Sequence, residues 1–134
     1  MIELLEKIPF IKMTVMNKKN GQFLIYKKKG IYFECSQNNV IYMNIKHGSD
    51  FKIKKLIDIQ NTFAPIIHYA NAGVHYQGGV YLCNTYDKNI QLQDFVRGLV
   101  LQYSLAQALE AEVSFNINES DFTDQKKCEI RKLV

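Results

Sequence analysis

Between residues 91 and 113 apolar side chains recur at three- and four-residue steps, and this run narrows the possible folds more than any other stretch. Leu92, Phe95, Val96, Leu99, Tyr103, Ala106, Leu109 and Val113 stack on one side of an α-helix. Leu101, Leu105 and Ala108 line a second side, which leaves Gln93, Arg97, Ser104, Gln107 and Ala111 as a narrow polar or small strip. A helix apolar over more than half its circumference has to be covered by other elements. Ala106, Ala108 and Ala111 admit close packing. Gly98 costs roughly 1 kcal/mol against alanine in a helix interior, so it is expected where a neighbouring backbone comes near. The natural cover is a β-sheet.

The residues ahead of the helix supply that sheet. Ile2, Leu4, Leu5 and Ile8 form a short amphipathic start that Pro9 ends. Ile11, Met13 and Val15 then alternate with Lys12 and Thr14 as a first strand, and Lys18-Lys19-Asn20-Gly21 reads as a hairpin turn. The second strand, residues 22–27, directs Phe23 and Ile25 inward with Leu24 and Tyr26 outward, and Lys28-Lys29-Gly30 is the next turn. Ile31, Phe33 and Cys35 alternate with Tyr32 and Glu34 in a third strand, and Ile41, Met43 and Ile45 lie opposite Tyr42, Asn44 and Lys46 in a fourth. This is a four-stranded antiparallel meander with one aliphatic face, the other displaying Tyr26, Tyr32 and Tyr42 among lysines.

A mid-chain helix follows, capped by Ser49 or Asp50, with Ile53, Leu56, Ile57, Gln60, Phe63, Ile66, Ile67 and Ala70 on one side. Pro65 should kink or split it near residues 61–64, and Gly73 supplies a left-handed stop; a strand over residues 66–70 is the alternative. Residues 74–77 and 80–86 flank Gly78-Gly79 as a short hairpin. After the long helix Val113, Phe115 and Ile117 alternate briefly, and residues 118–134 read as a loop with an edge strand or mobile tail. The expected fold is a single α+β domain over residues 1–134. It is a four-stranded antiparallel meander plus a short hairpin, with the mid-chain helix and the long C-terminal-half helix packed on one face.

Hydrophobic content of 47% and charged content of 22% are ordinary for a globular chain. No apolar run reaches the ~20 residues of a membrane helix, and the acids and Pro9 near the start are unlike a signal peptide, so a cytoplasmic protein without membrane association is expected. Cys35, Cys83 and Cys128 are far apart and form no C-x-x-C pair, which suggests reduced thiols. Charge is uneven: residues 1–60 hold eleven lysines against five acids, and residues 61–134 hold six basic residues against eight acids. The first half presents a basic surface.

Strong catalytic signatures are absent, including a phosphate-cradling glycine loop, G-x-S-x-G and H-E-x-x-H. His47, His68 and His75 with Cys83 match no common zinc spacing, and Cys83 with His75 as a nucleophile pair rests on residue types alone. No enzyme, metal or cofactor is therefore expected. Leu24, Tyr26, Tyr32 and Tyr42, taken together on the outward face, are the expected partner-binding residues. They suit another protein as partner, whether a client or a toxin, or a second copy in a homodimer. A non-catalytic chaperone- or adaptor-like module is the first reading, and a toxin-immunity or inhibitor protein is its alternative. A Lys and Tyr face also suits weak single-stranded nucleic-acid binding, but with only two arginines in the chain that partner is not expected.

The order helix, antiparallel strands, helix ending in Tyr69-Ala70-Asn71-Ala72-Gly73, short hairpin at Gly78-Gly79 and long terminal helix resembles the type III secretion chaperone-like fold. The resemblance covers about residues 1–113. It implies a dimeric, non-catalytic protein whose sheet and apolar patches hold an extended segment of a client.

Overall fold

Period-two strands and two long helices assemble around one core. The structure, a computed structural model, describes residues 1–47, 53–69, 72–76 and 78–117. Its elements are α1 (Ile2–Glu6), β1 (Ile11–Met16), β2 (Asn20–Ile25), β3 (Lys28–Glu34), β4 (Asn38–Ile45), α2 (Ile53–Tyr69), β5 (Ala72–Tyr76), β6 (Val80–Asp87) and α3 (Leu92–Ile117). The class is α+β, but the hairpin does not stand apart from the meander. β6 pairs antiparallel with β4, and β5 lies outside it, giving one six-stranded sheet in the order β1-β2-β3-β4-β6-β5. Gly78, at φ +65, makes the β5–β6 turn.

The inward face carries Phe23, Ile25, Tyr32, Ile41, Met43, Ile45 and Leu82, all buried. Phe95, Leu99, Ala106, Leu109 and Val113 of α3, Ile59, Phe63 and Ile67 of α2, and Leu5 and Ile8 at the N-terminal end complete the same cluster. α3 is thus covered along the expected stripe from Phe95 to Val113. Leu101, assigned to a second covered side, is instead exposed, as are Leu92 and Val100.

Two glycines taken for turn residues lie inside strands. Gly21 pairs with Tyr32, and Gly30 pairs with Phe23. A methyl group on Gly21 would come 2.5 Å from Tyr32 Oη, and one on Gly30 would collide with Phe23 Cζ. Each glycine therefore leaves room for an aromatic ring across the strand pair, a close approach that glycine within a strand often marks. The turns themselves are at Asn17–Lys19 and at Tyr26-Lys27, where Tyr26 takes φ 55. With Gly30 facing inward, strict alternation puts Tyr32 inward and Ile31 and Phe33 outward. This reverses the expected facing of β3. Tyr32 is fully buried, and its hydroxyl donates to the Asn17 carbonyl at 2.8 Å while accepting from the Asn17 N–H at 3.3 Å, which pins the β1–β2 turn.

Gly98 also has a side chain rather than a backbone as its neighbour. A methyl group there would lie 2.7 Å from Tyr86 Cε1. The bare backbone lets the Tyr86 ring lie against α3, where its hydroxyl donates to Gln102 Oε1 at 2.7 Å. Gln102 Nε2 in turn donates to the carbonyls of Ile41 and Leu82, each at 3.0 Å, tying α3 to β4 and β6. A buried glutamine is tolerable because its amide is satisfied on both sides. Lys28, expected in a turn, begins β3 with its ammonium buried, donating to Asn44 O at 2.7 Å and to Glu110 Oε2 at 2.9 Å.

α2 runs through Pro65 as one helix to Tyr69, so it is not split there and residues 66–69 are helix and not strand. Asn61 and Pro65 are exposed, so the carbonyl that loses its helical donor meets water. The buried stripe is Ile59, Phe63 and Ile67, while Ile57 and Ile66 are exposed. Gly73 lies in β5 opposite Cys83 and does not stop the helix. α3 continues to Ile117, through the brief alternation of Val113, Phe115 and Ile117, because extending a formed helix is far easier than starting another element. The expected cap at Ser49 or Asp50, the helix contact of Ala70 and the tail at 118–134 lie outside the described residues.

Candidate functional site

Register assigns the opposite face of the sheet. Its central row runs Val15, Gln22, Ile31, Tyr42, Cys83 and Gly73 from one edge to the other. A second row is Asn20, Phe33, Val40 and Thr85. Lys12 and Lys29 flank Leu24 near one edge, and Asn44, Tyr81 and His75 continue toward the other. The helices of the described residues all contribute to the core on the inward side. Among the described residues no helix lies on this outer face.

Tyr42 is its hub. Its ring meets Phe33 edge-on at 5.8 Å and 86°, Tyr81 at 6.3 Å and 88°, and His75 at 6.1 Å and 79°. Such edge-to-face pairs are favourable and hold each other in place. Phe33, Tyr42 and Tyr81 wall an open cavity of about 360 Å³ that Ile31, Cys35 and Val40 also line. Phe33 is 40% exposed at its mouth.

Of the four expected partner-binding residues, the structure brings only Leu24 and Tyr42 to this face. Tyr32 is in the core. Tyr26 leaves the sheet at the β2–β3 turn, where its positive φ swings the ring to the helix side, stacked on Phe10 at 5.3 Å and packed on Tyr103 at 5.0 Å. It is therefore not on the outward face. The residues missed were Ile31 and Phe33, from the reversed facing of β3, and Val40, Tyr81 and His75. A glycine opposite Phe23 fixes which neighbours face outward, but that opposition is seen only once β2 and β3 are paired.

Cys83 and His75 lie on the paired strands β6 and β5. A methyl group on Gly73, the cross-strand neighbour of Cys83, would lie 3.3 Å from His75 Nε2, so the imidazole leans over that glycine. No hydrogen bond joins the pair among the described residues. Burial pushes the Cys83 thiol up, opposed by a hydrogen bond with Tyr42, so the thiolate needed for nucleophilic chemistry is disfavoured. Among the described residues no three His, Cys, Asp or Glu side chains come together as a metal site, and no helix is long and apolar enough to cross a membrane.

The sheet edges differ from the face. β1 shifts register between Met13 and Val15, a bulge that disturbs further pairing, and it carries Lys12. On β5, Gln60 of α2 donates to the Val74 carbonyl at 3.0 Å, taking up an edge-strand acceptor. Fold and site together define an α+β domain with a six-stranded sheet, helices against one side and an aromatic apolar surface on the other. No protein-family model matches the chain, and no curated protein matches it.

Proposed function

We propose that this protein is a non-catalytic binding module, chaperone- or adaptor-like, that holds a segment of another protein on the outer face of its sheet. The observation that supports this most is the placement of apolar side chains on both faces of β3 and β4. Ile31-Tyr32-Phe33 and Val40-Ile41-Tyr42-Met43 are near-continuous apolar runs, the pattern of strands covered on both sides. Only the inward side has cover among the described residues. An exposed apolar patch of this kind, rimmed by lysines, is what interaction sites look like. Bulge, lysine and Gln60 blunt the edges, which favours the face over strand addition.

A photo-crosslinking amino acid placed at Phe33, and separately at the exposed Ile66 of α2 as control, tests the reading in the native host. Covalent adducts with a partner protein are expected from position 33 and not from position 66. Adducts that form equally from both, or from neither, refute it.

A further inference from the structure

We infer that the cavity between Phe33 and Tyr42 takes a bulky apolar side chain from an acidic, extended segment of the partner. The inference rests on the protein-binding reading of this face and adds the chemistry of what is bound. The apolar half comes from the cavity. Its walls are aliphatic or aromatic apart from Cys35, and Phe33 and Tyr42 stand at 86° to one another, so a large hydrocarbon side chain meets preformed walls.

The acidic half comes from the charges around it. Lys12 and Lys29 flank Leu24 on one row, and neither makes an ion pair among the described residues. The rows that cross the middle of the face carry no carboxylate; Asp87 stands at the far end of β6 and accepts from the Asn89 N–H. Lys18 and Lys19, exposed in the β1–β2 turn, add to the same sign. Such a surface attracts a carboxylate-bearing partner and repels a basic one. Spacing follows from the strand. Lys29 precedes Ile31 by two residues and Phe33 by four, so at about 3.3 Å per residue it stands roughly 7 to 13 Å from the cavity. An extended partner segment would meet it with an acid two to four residues from its apolar anchor.

Panning a random-peptide phage library against the full chain tests this. Enriched peptides are expected to carry a Leu, Ile or Phe with Asp or Glu two to four positions away. A synthetic copy of one should lose about tenfold or more in affinity on Phe33→Ser, with the variant still folded and unfolding in one cooperative transition. The same peptide should weaken on Lys12→Glu with Lys29→Glu and as salt rises, and a peptide with lysine in place of its acids should regain affinity for that charge-reversed variant. Peptides that need Phe33 but show no acid preference and no charge-swap rescue overturn the inference and leave the protein-binding reading standing. An absence of any Phe33-dependent peptide overturns both. Tighter binding of an oligothymidine probe than of any peptide, or a dimer in sedimentation that dissociates on Phe33→Ser, assigns the face to a nucleic acid or to a second copy and likewise overturns it.

Discussion

Replacing Gly98 by alanine should destabilise this protein, although helix propensity alone gives the opposite sign. Alanine is favoured over glycine in a helix interior by about 1 kcal/mol. In α3 the added methyl would stand 2.7 Å from Tyr86 Cε1, well inside the ~3.5 to 4.0 Å at which carbon atoms attract. Tyr86 has little freedom to withdraw. It is 5% exposed, its ring lies edge-on to Phe95 at 5.0 Å, and its hydroxyl is bound to Gln102. Moving the ring breaks that bond and loosens the Gln102 amide from the Ile41 and Leu82 carbonyls. Overpacking costs about 1 to 3 kcal/mol and a lost buried hydrogen bond about 1 to 3 more, so after the propensity gain a net loss of roughly 1 to 5 kcal/mol is expected. Urea unfolding of the wild type and of Gly98→Ala measures it. The same substitution made in a Tyr86→Leu background, where the ring is gone, should be neutral or stabilising, so the two changes form a strongly non-additive cycle. A Gly98→Ala protein with a raised urea midpoint would refute the packing of Tyr86 against α3.

Tyr32→Ser should cost about 3 to 5 kcal/mol as a buried aromatic truncation, whereas Tyr42→Ser should cost only about 1 kcal/mol, the scale of cross-strand aromatic contacts; equal losses in urea would show that the two rings share a face. Leu99→Ala, at a fully buried site, should lose about 2 to 5 kcal/mol, and a change below about 0.5 kcal/mol would place that side of α3 in solvent. Glu110→Gln leaves the buried Lys28 ammonium without its counter-charge and should cost about 1 to 3 kcal/mol; a urea midpoint unchanged from wild type counts against the ion pair. Burial pushes the Tyr86 phenol far above its ordinary value and raises that of Tyr32, partly offset by the Asn17 hydrogen bond. Above the unfolded-chain value of about 10 the folded state then holds more protons than the unfolded state, so stability is full below that pH and falls as pH rises through it. A flat or rising urea midpoint between about pH 9 and 11 would contradict this.

The long helix was legible because its pattern repeats over many turns, and Phe95, Leu99, Ala106, Leu109 and Val113 are buried as the spacing requires. β4 was legible too, since Ile41, Met43 and Ile45 face inward against polar or aromatic neighbours. β3 was not. Ile31, Tyr32 and Phe33 offer no polar alternation, and hydrophobicity alone places Phe33 inward ahead of a tyrosine that carries a hydroxyl. What decides the facing is outside the strand: Gly21 opens space for the Tyr32 ring and Asn17 satisfies its hydroxyl, two conditions visible only once β1, β2 and β3 are paired. The joining of β6 to β4 was equally hidden, because partners far apart in sequence are not set by local periodicity. Half of the expected site followed the strands to the outer face, Leu24 and Tyr42, and half did not, Tyr26 and Tyr32.

The property that hid the facing of β3 also bears on function. A strand meant to face water on one side can carry polar residues there without loss to the core, since alternation separates the two faces completely. β1 and β2 partly use that freedom, with Lys12, Asn20 and Gln22 outward. β3 and β4 give up most of it over the stretch between the two turns, placing Ile31, Phe33, Val40 and Tyr42 beside one another on the open side. Apolar surface left in water forgoes about 25 cal/mol per Å² of burial, and covering these side chains would recover it. Cover confined to the middle of the sheet, next to lysines and away from the blunted edges, is what the proposed binding of an extended segment along β3 would supply. Residues polar at 31 and 33 would have made the facing of β3 plain and removed two of the six side chains that line the cavity.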